Sequence, residues 1–216
     1  MPDANTTALA KALTSAMGDI HQRGWCDGTG GNFSCVLQHE PFRLLMAPSG
    51  VHKGAVAARD LIQVDEQGCV VRGHGHASAE TALHLEIIQT CRAGAVLHTH
   101  SQAGTLLSQW AIDQSDSPDQ GALELKSLEM LKGLEGIKTH ACSVAVPVLA
   151  NDQDLNALSA RARPHLKGAP HGLLIGGHGL YAWGRNLGSA VRHLEILEFL
   201  LEQRWRQLLL DAVSRR

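Results

Sequence analysis

The run Ala95-Val96-Leu97-His98-Thr99-His100 constrains this chain more than any other stretch. Three apolar residues behind Gly94 read as a buried strand, and a helix-like segment begins at once from Ser101. Residues two apart on a strand project from the same face, so the two imidazoles can converge on one metal ion. The end of a buried strand, handed on to a helix, is also where α/β proteins often place their chemistry. His178, in Gly176-Gly177-His178-Gly179, would complete a site of three nitrogens. Three protein ligands with open positions suit a catalytic zinc, whereas a structural zinc is usually closed by four ligands, often cysteines.

Size and charge narrow the partners. With 216 residues, 44% of them hydrophobic, the chain can bury a full core and is expected to form one domain over residues 1–216. Its net charge is −2 and no long block of either sign occurs, which argues against nucleic acid or a membrane surface and leaves a small molecule as the expected partner. Five widely spaced cysteines, an odd number without a C-x-x-C pair, suit a reducing compartment. Residues 1–5 lack the basic and apolar regions of a signal peptide, and no apolar run is long enough to span a bilayer, so a cytoplasmic location is expected.

Periodicity then lays out the elements. Apolar residues at helical spacing over 7–22 predict a first helix, stopped by Gly24. Short strand-like runs at 33–37, 43–46, 61–64 and 69–72 read as an antiparallel meander. Ser78 can cap a helix through Ala82, Leu85, Ile88 and Cys91, which leads to the histidine strand. A helix over 101–110, an exposed loop over 111–120, a helix-compatible stretch over 124–132 and a strand over 143–146 ending before Pro147 follow. A helix over 155–166, strands at 173–175 and 180–183 around the Gly-Gly-His-Gly turn, and a long amphipathic helix over 187–213 complete the chain. The pattern predicts an α/β fold with a central, mainly antiparallel sheet covered by helices.

Three turns carry further chemistry. Gly28-Thr29-Gly30-Gly31-Asn32-Phe33-Ser34 holds more glycine than a turn requires, so its backbone N–H groups can approach an anion; a plain flexible connection is the other reading. It is no Walker loop, and Phe33 stands where a dinucleotide fingerprint needs its last glycine. Pro48-Ser49-Gly50-Val51-His52-Lys53 and Ala77-Ser78-Ala79-Glu80 each place a small hydroxyl at a tight turn. Ser78 serves either as a plain helix cap or as a phosphate contact at a helix amino terminus. His74-Gly75-His76 repeats the i, i+2 spacing but lies among glycines, so its rings are less fixed. His21, His39, His140, His165, His171 and His193 stand alone and read as structural or exposed.

Taken in order, Gly24-Trp25, the Gly28–Ser34 loop, Pro48 to Lys53, Ser78-Ala79-Glu80-Thr81, Gly94 to Ser101, Glu129-Met130-Leu131-Lys132-Gly133 and Gly177-His178-Gly179 resemble the class II aldolase and adducin family. The likeness spans nearly the whole chain and is closest to the methylthioribulose-1-phosphate dehydratase branch. It implies a single α/β/α domain and a homotetramer, expected to be cyclic, with sites between neighbouring subunits. It implies one zinc per subunit on His98, His100 and His178, and a substrate phosphate surrounded by Gly31, Asn32, Ser49, Gly50 and Ser78. Glu80, grouped with the substrate residues, matches an aldolase carboxylate that ligates the metal or acts as acid and base. Glu129 is the implied acid and base of the dehydratase branch. The implied reaction is the dehydration of 5-methylthioribulose 1-phosphate to 5-methylthio-2,3-dioxopentyl phosphate in methionine salvage.

One departure separates the branches. Sugar-phosphate aldolases of the family are expected to use a tyrosine from near the carboxy terminus of an adjacent subunit, and here the only tyrosine is Tyr181. Tyr181 reads either as a pocket group near His178 or as a packed strand residue. The absence disfavours the alternative reading as a sugar-phosphate aldolase or epimerase, with its carbon–carbon cleavage or epimerisation. A non-catalytic, adducin-like binding domain is a third reading, which the intact histidine set opposes.

Overall fold

Alternation of apolar side chains along the central strands sorts the molecule into layers. The computed structural model describes residues 4–215; residues 1–3, on which part of the amino-terminal reading falls, and residue 216 lie outside them. The described residues form nine strands: β1 (Asn32–His39), β2 (Phe42–Met46), β3 (Ile62–Val64), β4 (Val70–Arg72), β5 (Ala95–Thr99), β6 (Gln120–Lys126), β7 (Ser143–Leu149), β8 (Gly172–Ile175) and β9 (Gly179–Gly184). They form one sheet in the order β4-β3-β2-β1-β5-β9-β8-β7-β6. Every pairing is antiparallel except β7 with β8. Helices α1 (Ala4–Gln22), α3 (Gln102–Asp113) and α5 (Leu187–Ser214) cover one face, and α2 (Thr81–Cys91) with α4 (Leu155–Leu166) covers the other.

The two-residue period is explicit in the core. On β5, Ala95 and Leu97 join the cluster under α1, α3 and α5, while Val96 joins the cluster under α2 and α4. On β9, Leu180 and Ala182 take the first face, and Tyr181 and Trp183 the second. The amphipathic stripe of α5 seals the first layer with Leu194, Leu197 and Leu201, all fully buried, each worth roughly 1.5–3 kcal/mol of apolar burial.

The predicted elements form with three corrections. The stretch over 124–132 is not a helix: β6 occupies residues up to Lys126, and Glu129–Gly133 is a 3-10 turn. Leu123 and Leu125 are buried while Gln120, Ala122, Glu124 and Lys126 are exposed, so a period of two and the ladder with β7 override the helical preference of Leu, Glu and Lys. Pro147 does not end β7. It pairs in register with Ala122, and β8 joins β7 only at Val148 and Leu149, so the imide has a ladder on one side alone. Ser78 does not cap α2 either: Glu80 holds the cap position, and Ser78 closes the turn before it, its Oγ accepting from the Glu80 N–H at 3.3 Å and its carbonyl from the Thr81 N–H at 3.0 Å.

No helix among the described residues is long and apolar enough to cross a membrane. Cys26, Cys35, Cys69, Cys91 and Cys142 are free thiols, and burial pushes the Cys35 thiol up to about 12, which keeps it protonated and inert.

Candidate metal centre

Sheet order brings the distant histidines together. β5 and β9 are neighbours, so the end of β5, carrying His98, meets the beginning of β9, where the turn after β8 presents His178. His100 Nε2 lies 2.8 Å and His178 Nε2 3.4 Å from His98 Nε2. Glu80, at the amino-terminal end of α2, adds Oε1 at 3.0 Å from His178 Nε2 and 3.5 Å from His98 Nε2. One ligand atom from each of the four residues falls within 4.8 Å of the others.

The donor set fits a divalent cation. The carbonyl of Leu180 lies 3.0 Å from His98 Nδ1 and accepts its N–H hydrogen bond, which in the neutral ring leaves the Nε2 lone pair facing the centre, the orientation found for metal-bound imidazoles. Burial, reinforced by the neighbouring imidazoles, lowers His100 to about 3, so its ring is neutral and able to ligate. Burial alone would raise the Glu80 carboxyl, but the adjoining imidazoles of His178 and His98 outweigh it and hold the group well below the usual carboxylate range. Three imidazoles and one carboxylate, their ligand atoms gathered within 4.8 Å, form a nitrogen-rich set of the kind that binds borderline divalent metals.

Neighbouring strands brace the set. Asn32, His98 and Tyr181 stand side by side on three adjacent strands. Asn32 Nδ2 donates to Glu80 Oε2, and the Tyr181 ring stacks on His98 with centroids 3.9 Å apart and planes 12° from parallel. Tyr181 is therefore the packed wall of the site; burial, with Glu80 beside it, pushes its phenol well above the ordinary value. Beneath it, fully buried His84 pairs through Nδ1 with Ser34 Oγ at 2.7 Å.

His84 makes a pH prediction. Burial lowers its pKa from 6.5 to about 3, so the folded ring stays neutral where the unfolded chain takes up a proton. The unfolded state binds more protons between these two values, so this contribution is complete above about pH 6.5 and is lost as pH falls toward 3, by up to about 1.4 kcal/mol per pH unit. Urea unfolding of metal-free protein at pH 7.5 and 5.0 should show lower stability at pH 5.0, with a smaller difference in His84→Gln. An identical pH difference in the two proteins would remove His84 as its source.

The glycine loop and the two short turns line one cavity of about 230 Å³ next to the centre. Gly31, Asn32, Ser49, Gly50, Ser78 and Glu80 all border it, with His100. Gly31 has φ +72°, and a Cβ there would lie 2.7 Å from the His98 carbonyl oxygen, so only glycine brings the loop this close to the strand end. Lys53, passed over among the candidate residues, also borders the cavity. It is 2% exposed, its Nζ donates to the carbonyls of Thr29 (2.9 Å) and Val51 (3.0 Å), and burial lowers its pKa. A lone lysine beside a turn reads as a solvated charge; only the packing of the two loops around it reveals an enclosed cation.

Glu129 is not in this cluster. Its carboxylate pairs with Lys132 and lies 3.4 Å from His140 Nδ1 on an exposed surface, and the hydrogen bond with Lys132 lowers its pKa. β7 runs parallel to β8, whose far end leads to His178, while Glu129 follows the last residue of antiparallel β6. Within one chain it therefore sits at the opposite end of the sheet, roughly 20 Å away by strand length. His74 and His76 are exposed and stand apart from the cluster. His171 and His193, read as isolated, stack with centroids 4.1 Å apart near Glu135.

The sequence of this chain matches the model of the Class II Aldolase and Adducin N-terminal domain over residues 11–205. The chain belongs to the class II aldolase and adducin family. Among its relatives in this family, methylthioribulose-1-phosphate dehydratase of Serratia proteamaculans (strain 568) is 42% identical over 205 residues, covering 94% of this chain and 96% of the relative. The protein of the same name from Methylococcus capsulatus is 40% identical, with 94% and 95% covered. The fold is also similar to that of l-fuculose-1-phosphate aldolase from Thermus thermophilus, with a TM-score of 0.69 and 25% identity over 97% of this chain and 98% of that one.

Proposed function

We propose that this chain is a zinc-dependent hydro-lyase that dehydrates 5-methylthioribulose 1-phosphate to 5-methylthio-2,3-dioxopentyl phosphate, a step of methionine salvage. The observation that carries the reading is the junction of three imidazoles and a carboxylate with a glycine-lined cavity holding a buried lysine. Relatives at 42% and 40% identity named for this activity support it. His98, His100 and His178 would hold one zinc per subunit, with Glu80 as a further ligand or a substrate contact. When bound, the metal supplies Lewis-acid polarisation of the substrate carbonyl at C2.

The chain's own groups do the rest. Backbone around Gly31 and Gly50, the hydroxyls of Ser49 and Ser78 and the Asn32 amide receive the phosphate, and Lys53 lends the cavity positive charge. Glu129 takes the proton from C3, and the electron pair left behind forms the C3–C4 double bond as the C4–O bond breaks. The same carboxyl returns its proton to the departing hydroxyl, which leaves as water, and the resulting enol tautomerises to the 2,3-diketone. Because Glu129 lies at the far end of its own sheet, the reading takes this residue from a neighbouring subunit of a homotetramer. The exposed Leu209, Leu210 and Val213 on the last turns of α5 suit contact between copies. The working location in this reading is the cytoplasm.

Product analysis of zinc-loaded protein with the ketose phosphate tests the reading. Loss of water with the carbon skeleton intact is expected. Release of an aldehyde would assign the aldolase reaction instead, and zinc binding without turnover would assign a binding domain.

A further inference from the structure

We propose that Glu198 is a positioning residue of the metal centre, holding the His98-Thr99-His100 strand end through the Thr99 hydroxyl; the inference rests on the reading of the histidine cluster as a metal site. Alternation along β5 puts Thr99 on the opposite face from His98, toward α5. There Thr99 Oγ1 donates to Glu198 Oε1 at 2.5 Å, with the two residues 0% and 2% exposed. The bond ties the residue lying between two of the three imidazoles to the longest helix of the fold.

Packing does not call for an acid at this position. Glu198 follows Leu197 in the buried stripe of α5, where an apolar side chain would extend the core. Burial pushes its carboxyl up to about 7, and hydrogen bonds from Ser101 and Thr99 act in the other direction. What the carboxyl does accomplish is restraint. The His98 ring is held by the Leu180 carbonyl at 3.0 Å and the His100 backbone by the Trp25 carbonyl at 2.8 Å. Thr99 is the last residue of β5, and its bond to Glu198 anchors that strand end to the helical layer, against rotation that would swing both rings. Partners of this kind, one step removed from the ligands, set metal affinity by fixing ring orientation.

The test measures zinc affinity by competition with a chromophoric chelator, in wild-type protein and in Glu198→Ala, Glu198→Gln, Thr99→Val and the Glu198→Ala/Thr99→Val double variant. His100→Ala is the control for the site, and thermal unfolding of each metal-free protein reports the fold. Glu198→Ala and Thr99→Val should each weaken zinc about 10- to 100-fold. Glu198→Gln should stay within a few-fold of wild type, because its amide oxygen still accepts from Thr99. The double variant should be no weaker than the worse single one, since both substitutions remove the same bond. Wild-type affinity in Glu198→Ala or Thr99→Val, a Glu198→Gln loss equal to that of alanine, or additive losses would overturn the proposal. If Glu198→Ala fails to fold, Thr99→Val, which exchanges one hydroxyl for a methyl, decides with Glu198→Gln. Wild-type protein with no zinc site that His100→Ala abolishes would bring down the metal reading and this proposal together, whereas unaffected variants beside a zinc-binding wild type bring down this proposal alone.

Discussion

Replacing His98 or His100 by alanine is expected to strip the centre of its metal and abolish turnover. Each change removes one of three nitrogens set 2.8 and 3.4 Å around His98 Nε2, and among the described residues the cluster holds no fourth imidazole. Losing an outer partner of a metal ligand costs up to about a hundredfold in affinity, so losing a ligand should cost more than that. His100→Ala is the cleaner variant. His98 is fully buried and stacked on Tyr181, so its removal also leaves a hole in the core, while His100 is only partly buried. Metal quantification after dialysis against zinc, alongside thermal unfolding, separates the two effects. Full zinc retention in either variant would contradict the assignment.

Glu129→Gln is expected to lower turnover at least about a hundredfold while leaving the fold and zinc content unchanged. Its side chain is 66% exposed and pairs with the exposed Lys132 and His140, so a neutral isostere costs the folded chain little. The far-end position of Glu129 adds a sharper test. When Glu129→Gln and His100→Ala chains are expressed together, mixed assemblies contain interfaces in which an intact metal site meets an intact Glu129. Activity should return in the mixture and be absent from either variant alone. No return, in mixed assemblies shown to form, would remove Glu129 from the neighbouring site, and near-normal turnover of Glu129→Gln by itself would move the proton transfer to Glu80.

Much of the fold was legible because its signals are local. Residues 155–166 read as a helix and form one at the same bounds, and the four short strands of the meander appear within a few residues of their predicted limits. The misreadings have a common cause. Over 124–132, Leu, Glu and Lys favour a helix, and only the partner strand β7, contributed by residues 143–149, turns them into a strand. Pro147 looked like a stop because a proline costs a ladder bond only if a neighbour is there to receive it. His171 and His193 looked solitary since nothing in their spacing announces that the end of one turn and the start of a helix will stack.

Residue types and their short-range spacing determined, from the sequence by itself, that this chain carries a histidine pair on a strand, a glycine loop able to approach an anion, and the elements of an antiparallel sheet under helices. Tertiary structure alone decided that His178 and Glu80 close on that pair, that Lys53 is enclosed beside the glycine loop, that Thr99 reaches Glu198, and that Glu129 ends up at the other end of its own sheet. The division has a physical reason. Helix and strand patterns arise from interactions within a few residues, whereas a site of 3 Å contacts between residues 80, 98 and 178 depends on strand order and register, which long-range burial and pairing select.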